Sequence, residues 1–307
     1  MIHLHSLDEV RLPEAYLTIG VFDGVHRGHQ ALMERLIVAA RAARLPAVVL
    51  TFWPHPAVVL GQVENWSYLT TAEERAALLA DLGVDVVITQ SFDHHLAAQS
   101  AAEFMRRLTQ ALPLRRLFIG YDFALGRGRE GDAARLRELG RLFGYEVETI
   151  APRRQGDTII STTAIRAHLL AGRVEAAAAL LGRPYALRGE VVRGEGRGRQ
   201  LQFPTANLIP PKDKLIPAHG VYACWSNVNG QRYLSVVNIG FRPTFDAHGG
   251  RTFIESHLLD FSADLYGQTM VLEFVARLRD EKKFPSASAL VEQIRRDVQQ
   301  ARQRLIS

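Results

Sequence analysis

The chain has 307 residues, of which 47% are hydrophobic, and a formal net charge of +5. This length is enough for about two domains with a substantial core. No apolar run approaches the roughly 18 residues that cross a bilayer, and "MIHLHSLDEV" lacks the pattern of a signal peptide, so we expect a cytoplasmic protein that does not bind membranes. The single cysteine, Cys224, excludes an intrachain disulfide and is expected to be a buried apolar side chain.

The excess of positive charge lies in the C-terminal part of the chain. Residues 1–185 contain 20 arginines and 20 acidic residues, whereas residues 186–307 contain 17 basic and 12 acidic residues. Such a bias is typical of proteins with anionic ligands, although a solvated basic surface gives the same pattern. All four lysines lie beyond residue 211, which excludes a P-loop lysine from the first part.

The first part of the chain alternates short apolar runs with helical patterns. The runs are "AYLTIGVF", "PAVVLTF", "VDVVITQ", "RRLFIG" and "YEVETI", and helices are predicted between them at 30–43, near 72–82, near 100–111 and near 131–143. This βα series predicts a Rossmann-like, doubly wound parallel sheet that helices cover on both faces. Ligands of such sheets bind at the carboxyl ends of the strands, where "FDGVHRGH", "WPHP" and "YDFALGRGREGD" stand.

The pattern changes after a helical stretch, "TTAIRAHLLAGRVEAAAALLG", which Gly182 and Pro184 terminate. Five runs with strand-like alternation follow, and they predict a small antiparallel β-barrel: "YALRGEVV", "GVYACWSNV", "QRYLSVVNIG", "RTFIESHLL" and "TMVLEFVARL". A C-terminal helix at 286–305 should pack on this barrel through one apolar stripe, formed by Leu290, Ile294, Val298, Ala301 and Leu305. We therefore predict two domains, 1–184 and 185–307.

Two histidines stand where the first strand of the βα series gives way to a helix. Gly24 and Gly28 permit a tight backbone and a close approach to a ligand, and the helix N-terminus attracts phosphate. His26 and His29, one turn apart, can both donate hydrogen bonds to one phosphate chain. A capped helix with two surface histidines is the plain alternative, and a zinc pair lacks the cysteine cluster or H-E-x-x-H that would support it.

The stretch "GVFDGVHRGH" resembles the H-x-G-H signature of the nucleotidylyltransferase superfamily, which is related to class I aminoacyl-tRNA synthetases. In that superfamily a second element, at the start of a later helix, closes over the triphosphate, and "ISTTAIR" fits it. Ser161, Thr162 and Thr163 are residue types that cap helices, and capping alone is their alternative role. Arg166 lies about one turn further, where a guanidinium can bind phosphate oxygens through two parallel hydrogen bonds.

Further motifs narrow the resemblance to one family. With "TFWPHP", "GYDFALGRGREGD", "FPTAN", "GVY", "NIGFRPTF", "ESHLLDF" and "LYG", the chain resembles the bacterial bifunctional riboflavin kinase/FAD synthetases from about Leu17 to Arg296. The resemblance implies that the N-terminal module transfers AMP from ATP to FMN, that the C-terminal module phosphorylates riboflavin with ATP, and that Mg²⁺ is the cofactor. The expected partners are riboflavin, FMN and ATP and not nucleic acid, and the oligomeric state is left open.

The resemblance also assigns the N-terminal site. It implies catalytic roles for His26, His29 and Arg166, and phosphate contacts for the surrounding loop and second element: Gly20, Phe22, Asp23, Gly24, Gly28, Ser161, Thr162 and Thr163. His55 either binds the nucleotide or simply holds a rigid loop between two prolines. Asp122 and Phe123 would line the nucleotide/flavin site, whereas "GRGREGD" also fits a charged surface turn.

In the C-terminal module, "GEGRGRQLQFPTANL" is expected to bind ATP through Gly194, Gly198 and Arg199. Thr205 and Asn207 alternate onto one side of an extended segment, where a hydroxyl and an amide oxygen can meet Mg²⁺ and phosphate together. An ordinary turn followed by a strand is the alternative.

Glu255 in "TFIESHLLDF" is the predicted base of the kinase. The resemblance implies that its carboxylate takes the proton of the ribityl 5′-hydroxyl, and an exposed strand glutamate is the alternative. Arg279 in "LRDEKKFPS" is expected to bind the flavin, with a solvated charge run as its alternative.

The chain departs from the family pattern at several positions. Gln202 replaces a glycine before "FPTAN", Trp53 replaces an acidic residue in "TF-x-PHP", and "ISTTAIR" has Thr162 and Ala164 where serine and arginine are common. Only Gln202 bears on the mechanism, because a side chain narrows the freedom of the kinase loop. Two other functions remain: an adenylyl- or cytidylyltransferase for another acceptor, or a nucleotide- or RNA-binding protein without catalysis. The first leaves "FPTAN" together with Glu255 unexplained. The second would favour basic residues interleaved with aromatic ones, and no basic stripe lies between Tyr222, Trp225 and Tyr233.

Overall fold

The computed structural model describes residues 1–63, 66–194, 198, 201–242 and 251–306. The chain divides into two compact units, Met1–Thr162 and Thr163–Ser307. None of the helices in these ranges combines the length and the apolar character that crossing a bilayer requires.

The first unit contains a parallel six-stranded sheet, counted over the described residues. Its strands are β1 (Ile2–Leu4), β2 (Ala15–Ile19), β3 (Ala47–Trp53), β4 (Val86–Ser91), β5 (Leu114–Gly120) and β6 (Glu146–Ile150), in the order β1-β4-β3-β2-β5-β6. The helices are α1 (Arg27–Ala43), α2 (Pro56–Val59), α3 (Ala72–Asp81), α4 (His94–Ala98), α5 (Ala101–Ala111) and α6 (Ala133–Phe143). A small hairpin, β7 (Arg154–Gln155) and β8 (Thr158–Ile159), follows the sheet. The predicted doubly wound parallel sheet is confirmed.

The central strands are apolar on both faces because helices cover both. Alternation along β2 sends Leu17 into one apolar cluster and Tyr16 into the other, and Leu117 and Phe118 on β5 divide in the same way. Strand order reverses at β2, since β3 and β4 lie on one side of it and β5 and β6 on the other. The loops after β2 and β5 therefore border the crevice where sheets of this type bind ligands.

Helix starts in this unit follow the capping rules. Thr71 and Glu74 form a capping box at α3, and Ser100 and Glu103 form another at α5. These local signals explain why the sequence predicts both helices close to their observed bounds.

The second unit is a closed antiparallel barrel with flanking helices. In barrel order its strands are β10 (Ala206–Ile209), β13 (Arg251–Leu258), β12 (Gln231–Arg242), β11 (Gly220–Val228), β14 (Thr269–Arg279) and β9 (Tyr185–Val192). The helices are α7 (Thr162–Leu170), α8 (Val174–Leu181) and the C-terminal α9 (Ala287–Ile306). Ala301 of α9 is fully buried in a cluster with Val221 and Ala276, so the predicted barrel with a packed C-terminal helix is confirmed.

The helical stretch before the barrel is two helices, because Gly172 interrupts it with a φ of 71°. Helix α8 packs on β9 and β14, with Val174 and Leu181 fully buried. The backbone N–H of Arg277 on β14 donates to Glu175 Oε1 at 3.3 Å. The compact units consequently divide after Thr162, ahead of the predicted division after residue 184, since α8 buries its apolar face against the barrel.

We expect a fragment of residues 163–307 to be more stable than one of residues 186–307, because the shorter fragment exposes the barrel surface that α8 covers. Losing one buried leucine costs about 2–5 kcal/mol, so the difference should be at least about 2 kcal/mol. Urea unfolding followed by circular dichroism measures it. Equal stabilities would contradict the assignment of α8 to the barrel unit.

Candidate active sites

The loop between β2 and α1 has an unusual backbone. Phe22, Gly24 and Val25 have φ values of 52°, 81° and 41°, in the left-handed region that a β-branched valine strongly disfavours. Hydrogen bonds hold this conformation: Thr51 Oγ1 donates to the Val21 carbonyl at 2.9 Å, and the Gly24 N–H donates to Thr70 Oγ1 at 3.0 Å. Such conformations persist only where the surroundings fix them, and they cluster at functional sites.

The carboxylate of Asp23 ties this loop to the segment before α3. It is 2% exposed and accepts hydrogen bonds from the Leu69 N–H at 3.2 Å, the Thr70 N–H at 2.9 Å and Thr70 Oγ1 at 3.1 Å. Asp23 lines none of the cavities described below, so its predicted ATP contact stays a prediction.

Arg75 on α3 supports the same loop, and the sequence analysis gave it no role. Its side chain is fully buried, and Nη1 donates to Thr51 Oγ1 at 2.8 Å and to the Phe52 carbonyl at 3.2 Å. Its Nε and Nη2 have no hydrogen-bond partner among the described residues. Burial lowers the pKa of Arg75, and the negative charge of Asp23 opposes that shift. In sequence, "AEER" is typical of an exposed helix face, so no local signal identifies this arginine.

His26 and His29 stack at the start of α1. Their ring centroids are 3.5 Å apart at an interplanar angle of 17°, and the Phe22 ring meets His29 edge-on at 5.2 Å. His26 is the N-cap, and its Nδ1 accepts the His29 backbone N–H at 3.2 Å. A neutral His26 ring therefore carries its proton on Nε2. Gly28 leaves room for this ring, because a Cβ there would lie 3.0 Å from His26 Cε1.

The local environment keeps His29 uncharged. Burial holds the pKa of His29 well below its usual range, and the positive charges of His26 and Arg75 lower it further. His29 Nδ1 is buried and has no hydrogen-bond partner within the described part of the chain. At neutral pH His29 can thus act as a hydrogen-bond donor but not as a cation.

A cavity of about 270 Å³ brings several predicted residues together. It is lined by His26, Gly28, His29, Asp122, Ser161 and Thr162, and by Arg153, which no sequence motif marks. Thr162 also donates from Oγ1 to the Asp23 carbonyl at 3.3 Å, which joins the second element to the histidine loop. Thr163 is exposed. Arg166 belongs to the second compact unit and follows Thr162 by one turn on the same face of α7.

A second cavity, of about 460 Å³, lies in the same unit and is aromatic. It is lined by Gly20, His55, Asp122 and Phe123 and by three rings that the sequence did not single out, Phe52, Phe92 and Phe104. The rings of Phe52 and Phe92 meet edge to face at 5.6 Å. Asp122 lines both of these cavities, so the two adjoin at this residue.

His55 and the "GRGREGD" segment both border the aromatic cavity. His55 caps α2, since its Nδ1 accepts the Ala57 N–H at 3.0 Å, and its ring faces Trp66 at 4.4 Å. Arg129 donates from Nη2 to the Asp122 carbonyl at 2.9 Å and lines the cavity. The segment is therefore part of a cavity wall and not only a surface turn.

In the barrel, three polar residues lie side by side on adjacent strands. Asn207 on β10 is opposite Glu255 on β13, and Glu255 is opposite Asn238 on β12. We call these three residues the polar row. All of them line a cavity of about 690 Å³, together with Gly198, Thr205 and Arg279.

Glycines allow the loop before β10 to approach these side chains. A Cβ on Gly198 would lie 3.2 Å from Thr205 Oγ1, and one on Gly194 would clash with the Asn207 amide. Gln202 has a φ of 66°, in the region that glycine adopts most easily, which gives a physical reason for the glycine of the family pattern. Arg199 lies outside the described residues.

Arg279 is fixed at the cavity wall by an acid that the sequence analysis missed. Its Nε lies 3.0 Å from Asp297 Oδ1 and its Nη2 lies 2.8 Å from Asp297 Oδ2, and Asp297 is 1% exposed. Gln293 Nε2 donates to Asp297 Oδ1 at 2.8 Å. A sequence signal existed, because Asp297 stands among the apolar residues of α9, three after Ile294 and four before Ala301.

A second barrel cavity, of about 460 Å³, shares one residue with the first. Its lining combines apolar and aromatic groups, hydroxyls and one carboxylate, including Thr205, Ser256, Phe261, Asp264, Leu265 and Tyr266. Thr205 lines both barrel cavities, so the two adjoin at this residue.

Comparisons with known proteins match both halves of the chain. The family model of FAD synthetase matches residues 8–164, and that of riboflavin kinase matches residues 181–305. The bifunctional riboflavin kinase/FMN adenylyltransferase of Escherichia coli K12 is 38% identical over 98% of this chain and 96% of its own length. The enzymes of the same name from Bacillus subtilis and Pseudomonas fluorescens are 34% and 39% identical, over 97% and 93% of this chain and 95% and 91% of their own lengths.

A solved structure agrees in fold over the whole length. A crystal structure described as a macrolide-efflux protein from Streptococcus pneumoniae has a TM-score of 0.90 and 32% identity, and the match covers 98% of both chains. The chain belongs to the family of bifunctional riboflavin kinase/FMN adenylyltransferases, with FAD synthetase in its N-terminal region and riboflavin kinase in its C-terminal region.

Proposed function

We propose that each of the two reactions takes place where two cavities of one unit share a polar lining residue, Thr205 in the barrel and Asp122 in the first unit. This sharing is the observation that carries the proposal, because group transfer between two substrates needs two binding cavities that meet at the reacting atoms.

In the barrel, the position of Glu255 indicates which of the two cavities binds riboflavin and which binds ATP. The base must reach the acceptor hydroxyl, so riboflavin binds in the cavity of about 690 Å³ that Glu255 lines, and the nucleoside of ATP binds in the smaller one. The ribityl 5′-oxygen attacks the γ-phosphorus, its proton passes to the Glu255 carboxylate, and ADP leaves. Arg279, held by Asp297, binds the flavin at the wall of the same cavity.

The residues near Thr205 suit Mg²⁺ that arrives with ATP. The protein offers one hydroxyl and one amide oxygen, Thr205 Oγ1 and Asn207 Oδ1, and the described residues contain no cluster of three His, Cys, Asp or Glu side chains that could hold a metal alone. Mg²⁺ commonly keeps several waters and takes substrate phosphates as ligands, so a sparse protein donor set fits it. When bound, the ion would neutralise phosphate charge.

In the first unit, the aromatic cavity suits the flat ring system of FMN, and the cavity with the two histidines suits the ATP phosphates. An FMN phosphate oxygen attacks the α-phosphorus, and pyrophosphate leaves. His26 and His29 donate hydrogen bonds to the phosphates, and the hydroxyls of Ser161 and Thr162 add further donors. The phosphate contact predicted for Arg166 on α7 stays a prediction.

Glu255→Gln should separate the two activities. Glutamine keeps the shape of the side chain but cannot accept the proton, so riboflavin phosphorylation should fall by about 10²-fold or more. Adenylylation of supplied FMN should not change, because that reaction uses other residues. Flavins separated after incubation with ATP and Mg²⁺ report both rates.

Glu273→Gln is the matched control, since Glu273 lies on β14 and pairs with Arg232 outside the cavities described here. Near-normal kinase turnover in Glu255→Gln would remove Glu255 as the base. Loss of both activities would mean general damage to the protein.

His29→Ala should have the opposite effect. It removes one donor to the phosphates, and losing such a donor costs about 10²–10³-fold in rate, so FAD formation should fall by this factor. Riboflavin phosphorylation should continue at the normal rate. His94→Ala, at an exposed histidine of α4, is the control and should leave both rates intact. Unchanged FAD output from His29→Ala would refute the role of the histidine pair.

The lowered pKa of His29 also predicts how stability depends on pH. Below about pH 6.5 the unfolded chain protonates this histidine, whereas the folded protein keeps it neutral, so folding becomes less favourable as the pH falls. His29→Gln cannot take up the proton, and its melting temperature should fall less between pH 7 and pH 5 than that of the unsubstituted protein. Calorimetric scans across this range measure the difference. Parallel curves for the two proteins would show that His29 is not held neutral.

A further inference from the structure

Asn238 is the member of the polar row that has no role in the proposed phosphoryl transfer. It faces Glu255 across β12 and β13, and directly opposed side chains on neighbouring strands start about 4.5–5.5 Å apart. Its side chain lines the cavity of about 690 Å³. Any group that Glu255 holds is therefore also within reach of the Asn238 amide.

The Asn238 amide lies between the other members of the polar row and apolar neighbours. Val236, two residues earlier on the same face of β12, is apolar, and so is Val221 on β11; both line the same cavity. The Asn238 Oδ1 is buried and has no hydrogen-bond partner within the described part of the chain. An unpaired buried amide oxygen is destabilising, and nearly all such groups in folded proteins have partners, so this one calls for a ligand.

We propose that the Asn238 amide binds a hydroxyl of the ribityl chain of riboflavin and thereby aligns the 5′-hydroxyl with Glu255. This inference rests on the proposed binding of riboflavin in this cavity. A polyol hydroxyl both donates and accepts, and an amide offers a carbonyl oxygen and an NH₂ group, so the two are complementary. A buried polar group that only the correct substrate satisfies also discriminates against analogues that lack the hydroxyl.

The test compares riboflavin with lumiflavin, which has the same ring system but a methyl group in place of the ribityl chain. Lumiflavin cannot be phosphorylated and should act as a competitive inhibitor of the kinase. In full-length Asn238→Val, whose new side chain matches the neighbouring valines, the KM for riboflavin should rise about tenfold, equivalent to one lost hydrogen bond. The inhibition constant of lumiflavin should stay within about twofold, because it makes no contact with the amide.

Asn227→Val on β11 is the matched control. Asn227 is also a half-buried strand asparagine, but it lines neither barrel cavity, so both constants should keep their normal values. Adenylylation of supplied FMN checks that the rest of the protein is intact.

The outcomes separate this inference from the proposed base. Equal weakening of riboflavin and lumiflavin in Asn238→Val would mean that the amide only maintains the cavity, and unchanged constants would mean that it touches no hydroxyl; either result overturns the inference. A selective loss of riboflavin supports it even if Glu255→Gln keeps its kinase turnover, since recognition of the chain does not depend on which group takes the proton.

Discussion

The buried guanidinium of Arg75 is the interaction on which the first active site depends. A buried charge is tolerated only where hydrogen bonds and an opposite charge compensate it. Arg75 donates to Thr51, and Thr51 donates to the carbonyl of Val21 in the histidine loop. The left-handed conformations of Phe22 and Val25 are unfavourable in isolation, and this chain of hydrogen bonds helps to hold them. The stacking of His26 on His29 follows from the backbone that Arg75 supports.

In the barrel, strand register instead of a buried charge holds the cavity residues in place. Its order comes from a closed sheet in which the side chains of each strand alternate between the two faces. Register alone brings Asn207, Glu255 and Asn238 together, because each belongs to a different strand. The ion pair of Arg279 with Asp297 then joins the C-terminal helix to the cavity wall. The polar row faces the cavity, whereas the alternate residues of the same strands, such as Val237 and Ser256, are fully buried.

The sequence predicted the features that depend on neighbours along the chain. The βα series, the barrel strands and the helix at the histidine loop follow from periodicity and capping, and the family motifs carry the positions of His29 and Glu255. The roles of Arg75 and Asn238 were not predicted, because the residues that surround them are distant in sequence. The role of Asp297 could have been predicted, because an acidic residue among the apolar positions of α9 needs a buried partner. Helical periodicity does not show which unit a helix packs against, so the sequence does not reveal that α8 lies on the barrel. The predicted domain boundary after residue 184 stays a prediction.

Each of these cavities is formed by residues of a single unit, so one compound can be designed to block one cavity without binding the other. Among the described residues, those that line the aromatic cavity all precede Thr162, and those that line both barrel cavities all follow it. The two cavities also differ in character: one is walled by phenylalanine rings, and the other contains a carboxylate between two amides. On the proposed assignment of the cavities, a compound shaped for the first would stop FAD production and let FMN accumulate, whereas one shaped for the second would stop the formation of both flavins. The same chain therefore presents two drug targets with different metabolic outcomes.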